Sequence, residues 1–120
     1  MPPPAPTIQF RLRVLLGEDI AIGPGKVDLL EAIDATGSIT AAAKALGMSY
    51  RRAWLLVDTM NRCFVTPVVT TEAGGASGGG TRLTRTGAEI ARRYRSMEAK
   101  AAKAGARDLA ALVSLMRDPR

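Results

Sequence analysis

Ser49, Tyr50, Arg51 and Arg52 form the densest run of chemically active side chains in this chain, and they follow directly on Gly47-Met48. An arginine can bridge the O6 and N7 atoms of a guanine with two hydrogen bonds, or pair with a phosphate. A tyrosine hydroxyl can donate to a phosphate, and a helix starting here would add the positive end of its dipole. Taken alone, the same residues also suit an ordinary solvated helix start. Other chemistries have little to work with. Histidine is absent, which removes the usual general base, the Ser-His-Asp triad and the commonest metal ligand. The single cysteine, Cys63, can make neither an internal disulfide nor a cysteine-rich zinc site, and it is read as a small buried hydrophobe. No catalytic residue and no metal ligand is therefore assigned, and an enzyme is not expected. The formal charge of +6 favours a polyanionic partner. No stretch has the apolar length of a membrane span, and Met1–Pro6 lacks the basic and apolar regions of a signal peptide, so a cytoplasmic protein without membrane contact is expected.

The elements that must position these residues are legible on either side. Residues 1–6 are proline-rich and expected to be disordered. Apolar residues alternate from Ile8 to Leu16, which predicts a half-buried strand; Gly17-Glu-Asp is a turn, and Ile20–Ile22 a short return. A first helix is expected from about Lys26 to Thr36, closed by Gly37. Ser38 is placed to cap a second helix, Ile39 to Leu46, whose Ala41–Ala43 run keeps it slim enough for close approach. Gly47 ends it, and Ser49 caps a third helix running to about Arg62. Ala53, Val57 and Met60 should face the core, with Thr59 and Arg62 partly outward and Trp54 packed inside. Two helices joined by a tight turn, the second opening on Ser-Tyr-Arg-Arg, have the layout of a helix-turn-helix.

Pro67 stops regular helix, Val68–Thr70 suits a strand, and Thr81–Thr84 its return across a glycine-rich tip. The tip lacks the Gly-Lys-Ser/Thr ending of a phosphate loop, because Thr81 and Arg82 follow Gly80. The hairpin is read as a wing, with Arg82 and Arg85 at its base to meet the DNA backbone. Thr86-Gly-Ala-Glu89 reads as a capping box opening a helix with Ile90, Tyr94, Met97 and Ala101 on one face. After Gly105, Leu109, Leu112, Val113 and Met116 continue the apolar stripe. Ile90, Tyr94, Met97, Leu109, Leu112, Val113 and Met116 are taken as a dimer interface. The expected class is mainly α with small β hairpins (α+β). It divides into a tail (1–6), a winged helix-turn-helix (7–85) and C-terminal dimerisation helices (86–120). Ser49, Tyr50, Arg51, Arg52, Thr59, Arg62, Arg82 and Arg85 are the DNA-binding candidates. The alternative is a winged-helix protein-interaction scaffold, with Leu55 and Leu56 in its contact surface.

Gly37-Ser-Ile, Ala43-Lys44, Gly47-Met-Ser-Tyr, Ala53-Trp54 and Met60-Asn61, followed by Gly78-Gly-Gly, Leu83-Thr and Gly87, resemble the ModE family of molybdate-responsive transcriptional regulators. The resemblance spans roughly residues 8 to 98. It implies a LysR-like winged helix-turn-helix, a homodimer, double-stranded DNA as partner, and genes of molybdate transport or molybdenum enzymes. It maps Ser49, Tyr50 and Arg51 onto the start of the family's recognition helix. The family's Mop molybdate-binding modules find no match in this sequence. The expectation is therefore no cofactor and no molybdate site in this chain, with sensing left to a separate partner.

Overall fold

The computed structural model describes residues 5–72 and 80–117. Among these, two short strands, β1 (Val14–Leu16) and β2 (Asp19–Ile22), precede three helices, α1 (Pro24–Thr36), α2 (Ile39–Ala45) and α3 (Tyr50–Cys63). A second pair of strands, β3 (Val69–Thr71) and β4 (Thr81–Leu83), leads into α4 (Arg85–Ala104) and α5 (Ala106–Ser114). The molecule is mainly helical with two small antiparallel sheets, as the α+β expectation has it.

Helix α1 is the hub, packing against α2, α3 and α4. Its Val27, Leu29, Leu30 and Ile33 are fully buried, and each such side chain stabilises the fold by about 1.5–3 kcal/mol relative to an exposed one. The helix begins at Pro24, two residues earlier than the sequence reading, because proline's fixed φ suits the first helical position. The connection between α2 and α3 is set locally. Ser38 Oγ accepts from Ala41 N at 3.1 Å, and Ser49 Oγ accepts from Arg52 N at 3.1 Å. Gly47 turns the chain with φ of +69°, a region a side chain would resist. Ala42 and Ala43 are buried between the helices, so the slim α2 does allow close approach.

The second hairpin pairs Val69 with Leu83, Thr70 with Arg82 and Thr71 with Thr81. Thr81 N donates to Gly37 O at the end of α1 at 2.9 Å, and Thr84 N closes the hairpin's base on Val68 O at 3.0 Å. Its glycine-rich tip, Gly74 to Gly79, lies outside the described residues, as do Met1–Pro4 and Asp118–Arg120.

Four expectations are corrected. The strand from Ile8 to Leu16 is reduced to Val14–Leu16, and all three of its residues are exposed. The alternating pattern is used over one hairpin turn, with a bulge between Val14 and Leu15. The capping box at Thr86 does not form. Thr84 caps α4 instead, accepting from Gly87 N at 3.0 Å, while the Thr86 hydroxyl pairs with that of Thr66 at 2.7 Å and Glu89 with Arg93 at 2.7 Å. Trp54 is 48 % exposed rather than packed inside. Cys63, the last residue of α3, is only half-buried.

Candidate nucleic-acid interface

The opening turn of α3 stands clear of the core. Ala53, Val57 and Met60 anchor the helix on the opposite face, as the spacing predicts. Tyr50, Arg51 and Arg52 are exposed, and among the described residues neither arginine lies within ion-pair distance of a carboxylate. An exposed guanidinium without an acidic partner keeps its full charge and all its donors for an outside ligand. The Ser49 cap completes the turn by satisfying one of the helix's first N–H groups.

A groove of about 450 Å³ separates this turn from the second hairpin; Thr40, Tyr50, Trp54, Thr71, Glu72 and Thr81 are among its lining residues. Trp54 and Leu55, both 48 % exposed, give the outward side of α3 an apolar flank. Trp54 follows Ala53 by about 100° around the helix, so it falls on the groove side rather than into the core. A general preference for burying tryptophan hid this, although the periodicity already carried the signal.

The remaining candidates are spread more widely. Arg82, on β4, pairs with Glu72 at 3.0 Å, near the Thr71–Thr81 end of the hairpin ladder. Arg62 sits near the far end of α3, roughly 20 Å along the axis from Ser49. Its guanidinium pairs with Asp58 at 3.2 Å and Asp19 at 3.6 Å, and donates to Thr59 Oγ1 at 3.3 Å. The Thr59 hydroxyl itself donates to Leu55 O. Thr59 and Arg62 are thus engaged with each other inside the protomer, away from the opening turn. Arg85 is the first residue of α4, and it is exposed. A cation there opposes the helix dipole unless an anion lies close by.

Asn61 holds the hairpin on α3, a role the sequence did not disclose. Its Oδ1 accepts from Val68 N at 2.8 Å and from Val69 N at 3.4 Å, and its Nδ2 donates to Val69 O at 3.5 Å. One half-buried side chain thereby fixes the start of β3 relative to the helix that carries Arg51 and Arg52.

The proposed dimer stripe divides in two. Tyr94 is 1 % exposed and donates its hydroxyl to Leu12 O at 2.9 Å, and Ile90 packs against the core. Both belong to the protomer's interior, because α4 lies on α1 and uses that face internally. Burial accordingly pushes the Tyr94 phenol above its usual range. Met97, Leu112 and Met116 are exposed, Leu109 and Val113 are half-exposed, and α5 buries none of its residues.

No group of three or more His, Cys, Asp or Glu side chains among the described residues could hold a metal ion. No helix among them is long and apolar enough to cross a membrane.

No model of a known protein family matches the chain. Individual proteins do. It is 44 % identical over 92 residues to the molybdenum transport protein ModE of Azotobacter vinelandii, covering 75 % of this chain and 34 % of that protein. It is 46 % identical over 82 residues to the molybdenum-pterin-binding protein MopB of Rhodobacter capsulatus, covering 68 % of this chain and 30 % of that one. It is 35 % identical over 86 residues to the DNA-binding transcriptional dual regulator ModE of Escherichia coli (strain K12), covering 72 % and 33 %. The chain thus spans about a third of the length of these relatives. They correct one expectation. A protein named for binding a molybdenum pterin aligns over most of this chain, so the reading of no cofactor and no molybdate site is withdrawn.

Proposed function

We propose that this chain is the DNA-binding portion of a transcriptional regulator of the ModE family, acting in molybdenum-linked gene control. Residues 7–85 serve as a winged helix-turn-helix: α2 and α3 are the helix pair, and the β3–β4 hairpin is the wing. The opening turn of α3 enters the major groove, where Tyr50 and Arg51 face base edges. Arg82 and Arg85 hold the backbone, Arg82 exchanging its exposed pairing with Glu72, which costs little, for a phosphate. Two copies join through Met97, Leu109, Leu112, Val113 and Met116 within residues 86–120. They then span a pseudo-palindromic site with half-sites one or more helical turns apart.

The observation that carries this reading is the pair of exposed arginines without acidic partners on the capped start of α3, a turn whose Tyr50 lines the hairpin groove. The names of the relatives support it: two are called ModE, and one of these a DNA-binding transcriptional regulator. The test is Arg51→Ala, measured by fluorescence anisotropy on a selected operator and on random duplex. The expected loss is about 1–3 kcal/mol on the operator and little on random DNA. Equal losses on both would remove base reading from Arg51. The competing scaffold reading draws on exposed Trp54 and Leu55, and it expects duplex binding without a steep salt dependence.

A further inference from the structure

On the other flank of α3, a cleft of about 190 Å³ opens between the N-terminal segment, the start of α1 and the start of α3. Arg11, Arg13, Lys26 and Arg52 line it, and no carboxylate does. None of these four cations is in an ion pair among the described residues. The Arg13 stem lies over Gly23 at the floor, where an added Cβ would stand 3.4 Å from its Cγ. The Lys26 ammonium is held below its ordinary pKa, first by burial; Arg52 and Arg13 push the same way, against Cys63 and Asp19. Lys26 thus feels the charges of Arg52 and Arg13, and that of Asp19 as well. The first turn of α1 adds no relief, having neither an acidic residue nor a side-chain cap. Like charges drawn from three separate segments into one cleft repel; water screens the exposed arginines in part, and a shared anion would offset the rest.

We propose that this cleft is a binding site for a tetrahedral phosphoryl-type oxyanion, held by Arg11, Arg13, Lys26 and Arg52. The chemistry has two sources, a backbone phosphate of duplex DNA or a free ion such as inorganic phosphate or molybdate. The DNA source rests on the function proposed above: Arg52 belongs to the opening turn of α3, so a strand beside that turn would present a phosphate to the cleft. Arg52 is then a backbone contact rather than a base reader.

The full chain is titrated with a mixed-sequence duplex across a salt series, which needs no knowledge of the operator. Arg13→Gln and Lys26→Gln should each weaken binding and flatten the slope of log K against log salt by about 0.9 per lost phosphate contact. Lys26→Arg should restore the slope, and Lys103→Gln, at the far end of α4, should leave it unchanged. Circular dichroism and thermal melting check that each variant keeps its fold. In a second arm, calorimetry of the wild-type chain with inorganic phosphate and with molybdate looks for saturable heat that the Arg13→Gln/Lys26→Gln double variant loses. Flattened slopes without heat identify a DNA phosphate; heat lost in the double variant identifies a free oxyanion. Unchanged slopes and no heat overturn the site. Should the wild-type chain fail to bind duplex at all, the DNA reading fails by itself, and the calorimetry alone decides the cleft.

Discussion

Gly87→Ala sets helix propensity against tertiary packing and gives opposite signs for the two. Gly87 lies in the first turn of α4, where alanine is intrinsically better by at most about 1 kcal/mol, the helix-interior value. A Cβ at this position, however, would stand 2.1 Å from Val68 O, 3.0 Å from its carbonyl carbon and 3.3 Å from its Cα. Carbon and oxygen rarely approach closer than about 3.3 Å, so the overlap is about 1.2 Å. The obstacle is the backbone of a fully buried residue and cannot rotate aside. Relief requires α4 to draw away from Val68. That stretches the Thr84 N–Val68 O bond of 3.0 Å and the bond of 2.6 Å in which Thr84 Oγ1 donates to Pro67 O. Overpacking costs about 1–3 kcal/mol and each weakened hydrogen bond up to about 1 kcal/mol. Net of the propensity gain, the variant should lose about 2–3 kcal/mol, or about 10 °C in Tm. Urea unfolding should show a lower midpoint at unchanged slope. Gly25→Ala is the control: its added Cβ meets nothing within 4 Å, so it should be neutral or stabilising. A Gly87→Ala protein as stable as the wild type would refute the close approach of α4 to the hairpin.

Three further outcomes follow from named contacts. Asn61→Ala leaves two N–H groups of the hairpin without their acceptor and should cost about 1–3 kcal/mol in urea unfolding, with faster amide exchange at Val68 and Val69. Arg95 pairs with Glu31 at 2.6 Å, Asp28 at 2.8 Å and Glu98 at 2.8 Å, and its hydrogen bond holds the Glu31 carboxyl below its ordinary 4.5. A carboxylate with a lowered folded pKa stabilises the fold above its unfolded value, and the contribution fades as pH falls through the folded value. Arg95→Met should thus cost about 1 kcal/mol at neutral pH, as befits a half-exposed network, and progressively less in melts taken below pH 4.5. Leu112→Glu places a charge on the exposed face of α5, and sedimentation should show the proposed dimer dissociating while the protomer keeps its helical signal; an unshifted dimer would move the interface elsewhere.

The central helix pair was readable because its determinants are local. Ser38 and Ser49 act on amides three residues ahead, Gly47 supplies a positive φ, and the inward spacing of Ala53, Val57 and Met60 follows from helical period alone. The stretch of the N-terminal strand, the cap of α4 and the environment of Tyr94 were not readable in that way, whereas the helical period already set Trp54 off the core face. Thr86, with Glu89 three residues on, carries the stronger sequence signal, and only the bonds of Thr84 to Pro67 and Val68 select Thr84 as the cap. Tyr94 has the spacing of an outward stripe, and it is buried because α4 lies on α1 and the hydroxyl reaches Leu12. Charge followed the same division. The sequence determined how many cations there are and that Arg51 and Arg52 open a helix. The i,i+4 pair of Arg62 with Asp58 is local, but the tertiary fold decided that Arg62 also meets Asp19, and that Arg11, Arg13, Lys26 and Arg52 line one cleft. Hydrogen-bonded turns close within a few residues and are written in their own neighbourhood; the distance between charges far apart in the chain exists only once the core has packed.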